Sequence, residues 1–340
     1  MTSPNPPIKI GINGFGRIGK CVFLQLLWDS TIEIAAINAL NLTAANFEEY
    51  VKHDSVHRYS KNFPVELINS KQIKVLNHTI TLLSDREAKN LNWKSYGIDY
   101  VIDATGSYLT QDACLQHNVN YVIMSAPAKD ETKTFVYGVN HLDYLGESII
   151  SAASCTTNAI CPALKIIDDH FHLKNASFTT IHSTTASQST VDILRGRSIF
   201  NNIIPHSTGA NAAIAKILPN LSCTVPGTSM RVPISNVSLI DLTFEVDQPF
   251  SYDSLILIIK ESNYFNILYQ ISQSNLVSCD FLTTTTPTIC DFHSSVKISD
   301  HKMKLMIWYD NEWAYSAQVI RLLKYVATLH SSKKEEQKRE

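Results

Sequence analysis

Glycine is scarce in this chain, 11 residues of 340, or about 3% where roughly 7% is usual. Yet Gly11, Gly14, Gly16 and Gly19 fall within nine residues. A chain this poor in glycine keeps it where a side chain would obstruct the backbone. Ile8 to Asn13 is a short apolar run that reads as a buried strand, and Arg17 to Trp28 reads as a helix. Gly14-Phe15-Gly16-Arg17-Ile18-Gly19 therefore sits at a strand-to-helix turn, the context in which a G-x-G-x-x-G spacing has a mechanism. Glycines permit the tight turn and let the backbone approach a pyrophosphate. The helix N-terminus then offers N–H groups and partial positive charge to the phosphates. With a second strand at Ile32 to Asn38, this makes a unit of about 30 residues, the size of a βαβ crossover. Dinucleotide binding is the expected function of this segment.

Composition narrows the remaining classes. Hydrophobic residues are 44% of the chain and charged residues 18%, with 29 basic against 31 acidic side chains and a formal net charge of -2. A disordered chain would be less apolar and more charged, and a protein gripping nucleic acid by bulk charge would be basic. No apolar run reaches the ~18 residues of a membrane span, and Met1 to Pro7 lacks a signal-peptide core. Seven cysteines fit free thiols in a reducing, cytoplasmic setting. No His/Cys spacing suggests zinc, and no metal site is expected.

Two domains are expected. Over residues 1–154, strands at 100–105, 121–126 and 148–153 alternate with helices at 43–53 and 110–118, and antiparallel strands fall within 61–83. That order predicts an α/β, doubly wound parallel sheet of the Rossmann kind. Residues 155–310 change in texture. Longer strands at 177–184, 228–233, 237–246 and 302–310, with fewer helices, predict an α+β domain with a mostly antiparallel sheet. A helix over 311–330 is expected to return to the first domain, and 331–340 is a charged, solvated tail.

Ser154-Cys155-Thr156-Thr157-Asn158 lies between a strand and a helix that runs to about Phe171, with Pro162 expected near the helix start, where proline costs least. A cysteine at a helix N-terminus is expected to have a depressed pKa and to act as a nucleophile toward a carbonyl carbon. Cys21 and Cys114 read instead as small buried apolar residues. A thiolate needs a proton partner. His182, on a strand rich in Thr and Ser, is the candidate among twelve histidines; His170 and His172 read as surface residues. Ser207-Thr208-Gly209-Ala210 opens a helix and suits an anion. Arg231, among apolar neighbours, calls for a fixed anionic partner.

Six stretches in order resemble the phosphorylating glyceraldehyde-3-phosphate dehydrogenase family: Lys9 to Gly19, Ser151 to Asn158, Thr179 to Gln188, Asn202 to Ala210, Arg231 to Asp241 and Trp308 to Ser316. The resemblance covers about residues 8–329. It implies a Cys155 nucleophile assisted by His182, a thiohemiacetal and thioester on the sulfur, and NAD as hydride acceptor. It also implies a cofactor set of Gly14, Gly16, Arg17, Ile18, Gly19, Asn38, Thr105, Ser125 and Asn311. Thr185 and Arg231 would hold the substrate phosphate. Ser154, Thr156, Thr208 and Gly209 would hold the attacking inorganic phosphate. The partners implied are these small molecules and further copies of the chain in a homotetramer.

The chain departs from the family pattern at three places. Ala39 replaces the ribose-binding acid about 20 residues beyond the glycines, so NADP is not excluded, although no Arg or Lys lies between Ala39 and Val51. Ala159 replaces a second cysteine. The 192–202 segment, which in relatives reaches a neighbouring subunit, is shorter here. The Cys–His chemistry would also serve an erythrose-4-phosphate dehydrogenase, against which Ser207 to Ala210 argues. A non-catalytic binding role is the third alternative, opposed by the intact Cys155, His182, Arg231 and Asn311.

Overall fold

A computed structural model describes residues 6–57, 62–194, 196–221 and 223–337, with side chains to 332. The expectations for residues 1–5, for Lys61, for Arg195 in the 192–202 segment and for the charges beyond 332 lie outside the described residues. The chain divides into two compact units. One comprises Met1–Phe135, Asp143–Ala153 and Val319–Glu340; the other comprises Val136–Leu142 and Ser154–Gln318.

The first unit runs β1 (Ile8–Asn13), α1 (Arg17–Leu26), β2 (Ile32–Asn38), α2 (Ala44–Lys52), β3 (Val65–Asn69), β4 (Gln72–Val75), β5 (His78–Leu83), β6 (Tyr100–Asp103), α3 (Gln111–Leu115), β7 (Tyr121–Met124) and β8 (Ile149–Ser151). Its sheet has the order β3-β4-β5-β2-β1-β6-β7-β8. From β5 to β8 every pairing is parallel. β3, β4 and β5 form the expected antiparallel edge. The central strands are continuous apolar runs because both faces are covered: Ile10, Ile12, Ile34, Ile37, Val101 and Ile102 are fully buried. α2 starts on a reciprocal cap between Thr43 and Asn46. Register then does something that composition cannot. It aligns Asn13 at the end of β1 with Asn38 of β2 on one side and Asp103 of β6 on the other. Three polar residues thus meet at the carboxyl ends of the strands where the chain order reverses, the usual ligand position in such sheets.

The second unit runs α4 (Cys155–Phe171), β9 (Leu173–His182), β10 (Ile204–His206), α5 (Ala210–Ile217), β11 (Gly227–Arg231), β12 (Ser238–Val246), α6 (Tyr252–Glu261), β13 (Tyr269–Ser272), β14 (Thr288–Ser299) and β15 (Lys302–Tyr309). The sheet order is β10-β11-β9-β12-β15-β14-β13. It is mostly antiparallel; β11 with β9 and β13 with β14 are the parallel pairs. β12 alternates strictly between buried and half-buried residues, the signature of a sheet with one covered face. α4 lies against β9, β12, β14 and β15.

Several details differ from the sequence reading. β10, α6, β13 and β14 were not anticipated; β14 carries two register shifts, which break the period of two that betrays a strand. Pro162 lies well inside α4 rather than near its start, because the helix already begins at Cys155. The last helix, α7 (Trp313–Gln337), continues beyond 330 into the charged run. Its residues up to Gln318 belong to the second unit and those from Val319 to the first. Within the first unit His330 of α7 is buried against Tyr121, ring centroids 4.0 Å apart. It bonds the hydroxyls of Tyr100 and Tyr144, each at 2.9 Å.

Candidate active site

The chain leaves β8 through Ala153, a buried non-glycine residue at φ 57. Its N–H donates to Ser151 Oγ at 3.1 Å, which holds the turn. Ser154 is the N-cap of α4, its Oγ accepting from the Thr157 N–H at 3.1 Å. Cys155 is thereby the first residue of the helix. His182 is the last residue of β9, and its Nε2 is 3.5 Å from Cys155 Sγ. The parallel pairing of β11 with β9 sets Arg231 directly beside His182, and Arg231 Nη1 lies 2.5 Å from Nδ1. A helix start and two strand ends therefore bring the three expected residues into contact.

Electrostatics assign different roles to the pair. Burial, with the Arg231 charge beside it, pushes His182 down to about 4, so the imidazole is neutral at neutral pH. Burial also pushes the Cys155 thiol up. The Thr156 hydroxyl and backbone N–H, and the Arg231 charge, pull it the other way without prevailing. That direction runs against the expectation of a depressed thiol. Cys155 is half-buried, and desolvation outweighs the helix end and the hydrogen bonds in the direction of its thiol. The proton on sulfur must therefore be taken by a base, and the neutral imidazole is the base in reach.

The phosphate candidates are occupied locally. Ser154 is committed to its cap. Thr156 Oγ1 lies 3.0 Å from the Tyr309 hydroxyl. Thr185 donates its N–H to Gln188 Oε1 at 2.8 Å and its hydroxyl at 2.9 Å. Thr208 Oγ1 accepts from the Ala210 N–H at 3.2 Å. Gly209 is the N-cap of α5, with no side-chain cap and open space where a Cβ would be, so the helix end is available to an anion. Asn311 Oδ1 accepts from Ser183 Oγ at 2.9 Å and Ser238 Oγ at 2.8 Å. Sequence reasoning missed Tyr309, Ser183 and Ser238. Tyr309 shows in sequence only as an apolar position of an alternating strand, and the two serines only as residues among many.

In the first unit a cleft of about 650 Å³ opens at the strand ends and is lined by Gly14, Gly16, Asn38, Ala39 and Thr105 among others. The glycines fit a pyrophosphate cradle for distinct reasons. Gly14 has φ +90, and a Cβ there would meet the Ala104–Thr105 backbone at 2.8 Å. A Cβ on Gly19 would lie 2.1 Å from Gly14 O. A Cβ on Gly16 would meet nothing within 4 Å, so its bareness serves whatever enters the cleft. Gly16 is also the N-cap of α1, which has no side-chain cap and no acidic residue in its first turn. An uncapped helix start in a cleft accommodates the phosphates of a dinucleotide.

Behind the cleft lies a buried chain of hydrogen bonds. Trp93 Nε1–H donates to His117 Nδ1 at 3.2 Å, so the His117 proton is on Nε2, 3.1 Å from Asp103 Oδ2. Asp103 also accepts from Asn13 Nδ2 at 2.7 Å and from the Thr105 hydroxyl at 2.7 Å. Asn13 Oδ1 accepts from Asn38 Nδ2 at 2.7 Å. Asn38 and Thr105 are thus fixed from beneath. Ser125 donates its N–H to the Asp103 carbonyl at 2.9 Å. Ile18 is half-buried. The Arg17 side chain turns to Asp54 at 2.6 Å and His57 at 3.1 Å, which leaves its backbone as the part placed at the helix start.

The C-terminal domain model of glyceraldehyde 3-phosphate dehydrogenase matches residues 154–311, and the NAD binding domain model of the same enzyme matches residues 8–111. A cytosolic glyceraldehyde-3-phosphate dehydrogenase of Leishmania mexicana is 39% identical over 338 residues, covering 96% of this chain and 99% of that one. The cytosolic one of Dianthus caryophyllus is 37% identical over 332 residues, 94% and 98% covered. Glyceraldehyde-3-phosphate dehydrogenase A of Escherichia coli strain K12 is 38% identical over 338 residues, 94% and 99% covered. The chain belongs to the glyceraldehyde-3-phosphate dehydrogenase family.

As a family member it is an NAD-dependent oxidoreductase, and the cleft at Gly14 and Gly16 lies in its NAD-binding domain. Asp85, Arg86 and Glu87, which follow β5, line the same cleft as Ala39. Two carboxylates and one guanidinium therefore belong to the cleft in which Ala39 is neutral. Sequence spacing could not show this, because β5 neighbours β2 only through the sheet order.

Proposed function

We propose that this dehydrogenase oxidises D-glyceraldehyde 3-phosphate in glycolysis and captures the product as the acyl phosphate 1,3-bisphosphoglycerate. The observation that carries the reading is the 3.5 Å approach of His182 Nε2 to Cys155 Sγ, with Arg231 on the far side of the imidazole, in a chain of this family. Neutral His182 takes the thiol proton, the sulfur attacks the aldehyde carbon, and the proton passes to the carbonyl oxygen to give a thiohemiacetal. His182 then withdraws the hydroxyl proton as the carbon is oxidised, which leaves a thioester on Cys155. NAD supplies the hydride acceptor when bound. Gly14, Gly16 and Gly19, the start of α1, Asn38 and Thr105 would hold it, with Ser125 beside them and Asn311 for the nicotinamide amide. Arg231 and Thr185 serve the substrate phosphate. Inorganic phosphate, for which Ser154, Thr156, Thr208 and Gly209 are the candidates, cleaves the thioester and returns the thiol.

At this end of the cleft Asp85 and Glu87 would repel a 2′-phosphate and Arg86 would attract it, so NAD is proposed as the cofactor from the family and NADP stays unexcluded. Self-association is proposed through the 191–203 segment, where Leu194 and Ile203 are 101% and 69% exposed; apolar residues exposed together mark interaction surfaces. A cytosolic location is proposed from the names of the Leishmania and Dianthus relatives. Among the described residues no helix is long and apolar enough to cross a membrane.

The test is NADH formation from glyceraldehyde 3-phosphate with NAD and inorganic phosphate. Turnover must disappear in Cys155→Ser, and in His182→Asn it should fall by about 10²–10⁴-fold. Turnover that survives in Cys155→Ser defeats the mechanism, and product formed without phosphate defeats the phosphorylating assignment.

A further inference from the structure

The row of paired residues that holds His182 and Arg231 continues past β11. β11 pairs in turn with β10, antiparallel, with Ile204 opposite Arg231 and His206 opposite Ser229. Paired residues point to the same side of a sheet, and so do residues two apart on one strand. His206 therefore stands on the face that presents Arg231 and His182, in the next row, with Ser229 and Thr180. Those two are buried and His206 is exposed, so His206 forms the rim of that face. The two imidazoles are near enough for a charge on His206 to oppose one on His182. Ser207, Thr208 and Gly209 follow His206 directly and lead into α5.

The ring is held in one orientation. His206 Nδ1 lies 2.6 Å from the Ser207 carbonyl oxygen. A carbonyl can only accept, so in the neutral imidazole the proton is on Nδ1 and Nε2 is bare. Among the described residues no group bonds Nε2. A fixed acceptor beside an anion site sorts anions by whether they carry a hydrogen. A phosphomonoester carries none once its second ionisation, at about pH 6, is passed. Inorganic hydrogenphosphate keeps one P–O–H through the neutral range.

We propose that His206 is a further ligand of the inorganic phosphate that attacks the thioester. Its Nε2 accepts the P–O–H hydrogen, while the Thr208 hydroxyl and the N–H groups at the start of α5 donate to the other oxygens. The inference rests on the reading of Thr208 and Gly209 as holders of inorganic phosphate and deepens it, because it adds a side chain that recognises this ligand by its hydrogen. Arg231 supplies the other half of the discrimination. A guanidinium only donates, and its buried Nε has no hydrogen-bond partner among the described residues, so Arg231 suits a fully ionised phosphate arm. Two anions are thereby sorted on one face: the ionised arm goes to the donors of Arg231, and hydrogenphosphate to the acceptor of His206. No covalent bond is made or broken at His206 in this role.

Two measurements test this on the full chain. In the first, histidine-labelled protein is titrated with inorganic phosphate at about pH 8, and the His206 ring signals are followed by NMR, identified by their loss in His206→Ala. Phosphate should shift them saturably; glycerol 3-phosphate, a dianion without an acidic hydrogen at that pH, should leave them in place. In the second, His206→Ala should raise the KM for phosphate about tenfold, the worth of a hydrogen bond to a charged group, with the KM for glyceraldehyde 3-phosphate unchanged. His206→Gln, whose carboxamide oxygen can accept the same hydrogen, should recover part of that loss. His206 signals that stay still at saturating phosphate, an equal shift with glycerol 3-phosphate, or a parental phosphate KM in His206→Ala overturns the assignment. The titration needs no turnover, so it decides the role of His206 even if phosphate-independent product formation has defeated the proposed reaction.

Discussion

Replacing Gly16 and Gly19 by alanine separates the two uses of glycine in one turn. At Gly19 the new methyl would lie 2.1 Å from Gly14 O, where ordinary contacts begin near 3.4 Å; the two must part by about 1.3 Å. Gly14 cannot retreat, since it sits at φ +90 with the Ala104–Thr105 backbone packed against it. Overpacking that must be relieved by backbone costs about 3 kcal/mol, the upper end of the usual range. For a domain of this size that is a fall of about 6–12 °C in melting temperature. At Gly16 the backbone is extended, φ -77 and ψ -154, and no atom is within 4 Å of the new methyl. Its effect on stability should stay within about 0.5 kcal/mol, because lost freedom in the unfolded chain offsets a slightly poorer cap. The methyl would instead occupy the space over the start of α1, so the pyrophosphate is held away from the helix N–H groups. Loss of about 1.4 kcal/mol there raises the NAD dissociation constant about tenfold. Thermal melts without ligand and calorimetric titration with NAD measure the two effects. An unchanged NAD affinity in Gly16→Ala, or a parent-like melt in Gly19→Ala, refutes the division of labour.

Three further outcomes are expected. His182 has a folded-state pKa lowered to about 4 from 6.5, so between those values the unfolded chain binds a proton that the folded chain refuses. Stability from this group is whole above pH 6.5 and declines by up to about 3 kcal/mol as pH falls to 4; urea unfolding of the parent against His182→Asn should show a steeper acid loss in the parent. Asp54 is buried between Arg17 and Lys20, at 2.6 Å from each, and these partners hold its carboxyl far below the usual range against the opposing effect of burial. Asp54→Asn leaves Lys20, itself 4% exposed, without its counter-charge and should cost about 3 kcal/mol or more in denaturant titration; a cost under 1 kcal/mol would contradict the burial argument. His330→Phe keeps the stack on Tyr121 but removes the bonds to Tyr100 and Tyr144. A loss of about 2–4 kcal/mol is expected, measured by equilibrium unfolding, and a neutral substitution would mean that the hydroxyls find other partners.

The sequence by itself determined the features that rest on local rules. Glycine clustering after an apolar run identified the β1–α1 turn, and unbroken apolar strands identified a sheet covered on both faces. The run Ser154 to Asn158 between an apolar strand and a helical stretch placed Cys155 at a helix start, and the hydroxyl-rich strand around His182 singled it out among the histidines. Where the local pattern was interrupted, as along β14, the element stayed hidden. Tertiary structure alone decided what depends on neighbours distant in sequence. Asp85 and Glu87 line the same cleft as Ala39 because β5 lies next to β2. Asn13, Asn38 and Asp103 meet because their strands share a register. Arg231 touches Nδ1 of His182 because β11 runs parallel to β9. The direction of the Cys155 thiol was likewise beyond sequence reasoning. A helix start is visible in the order of residues, whereas how much water reaches a sulfur atom depends on every element that folds around it.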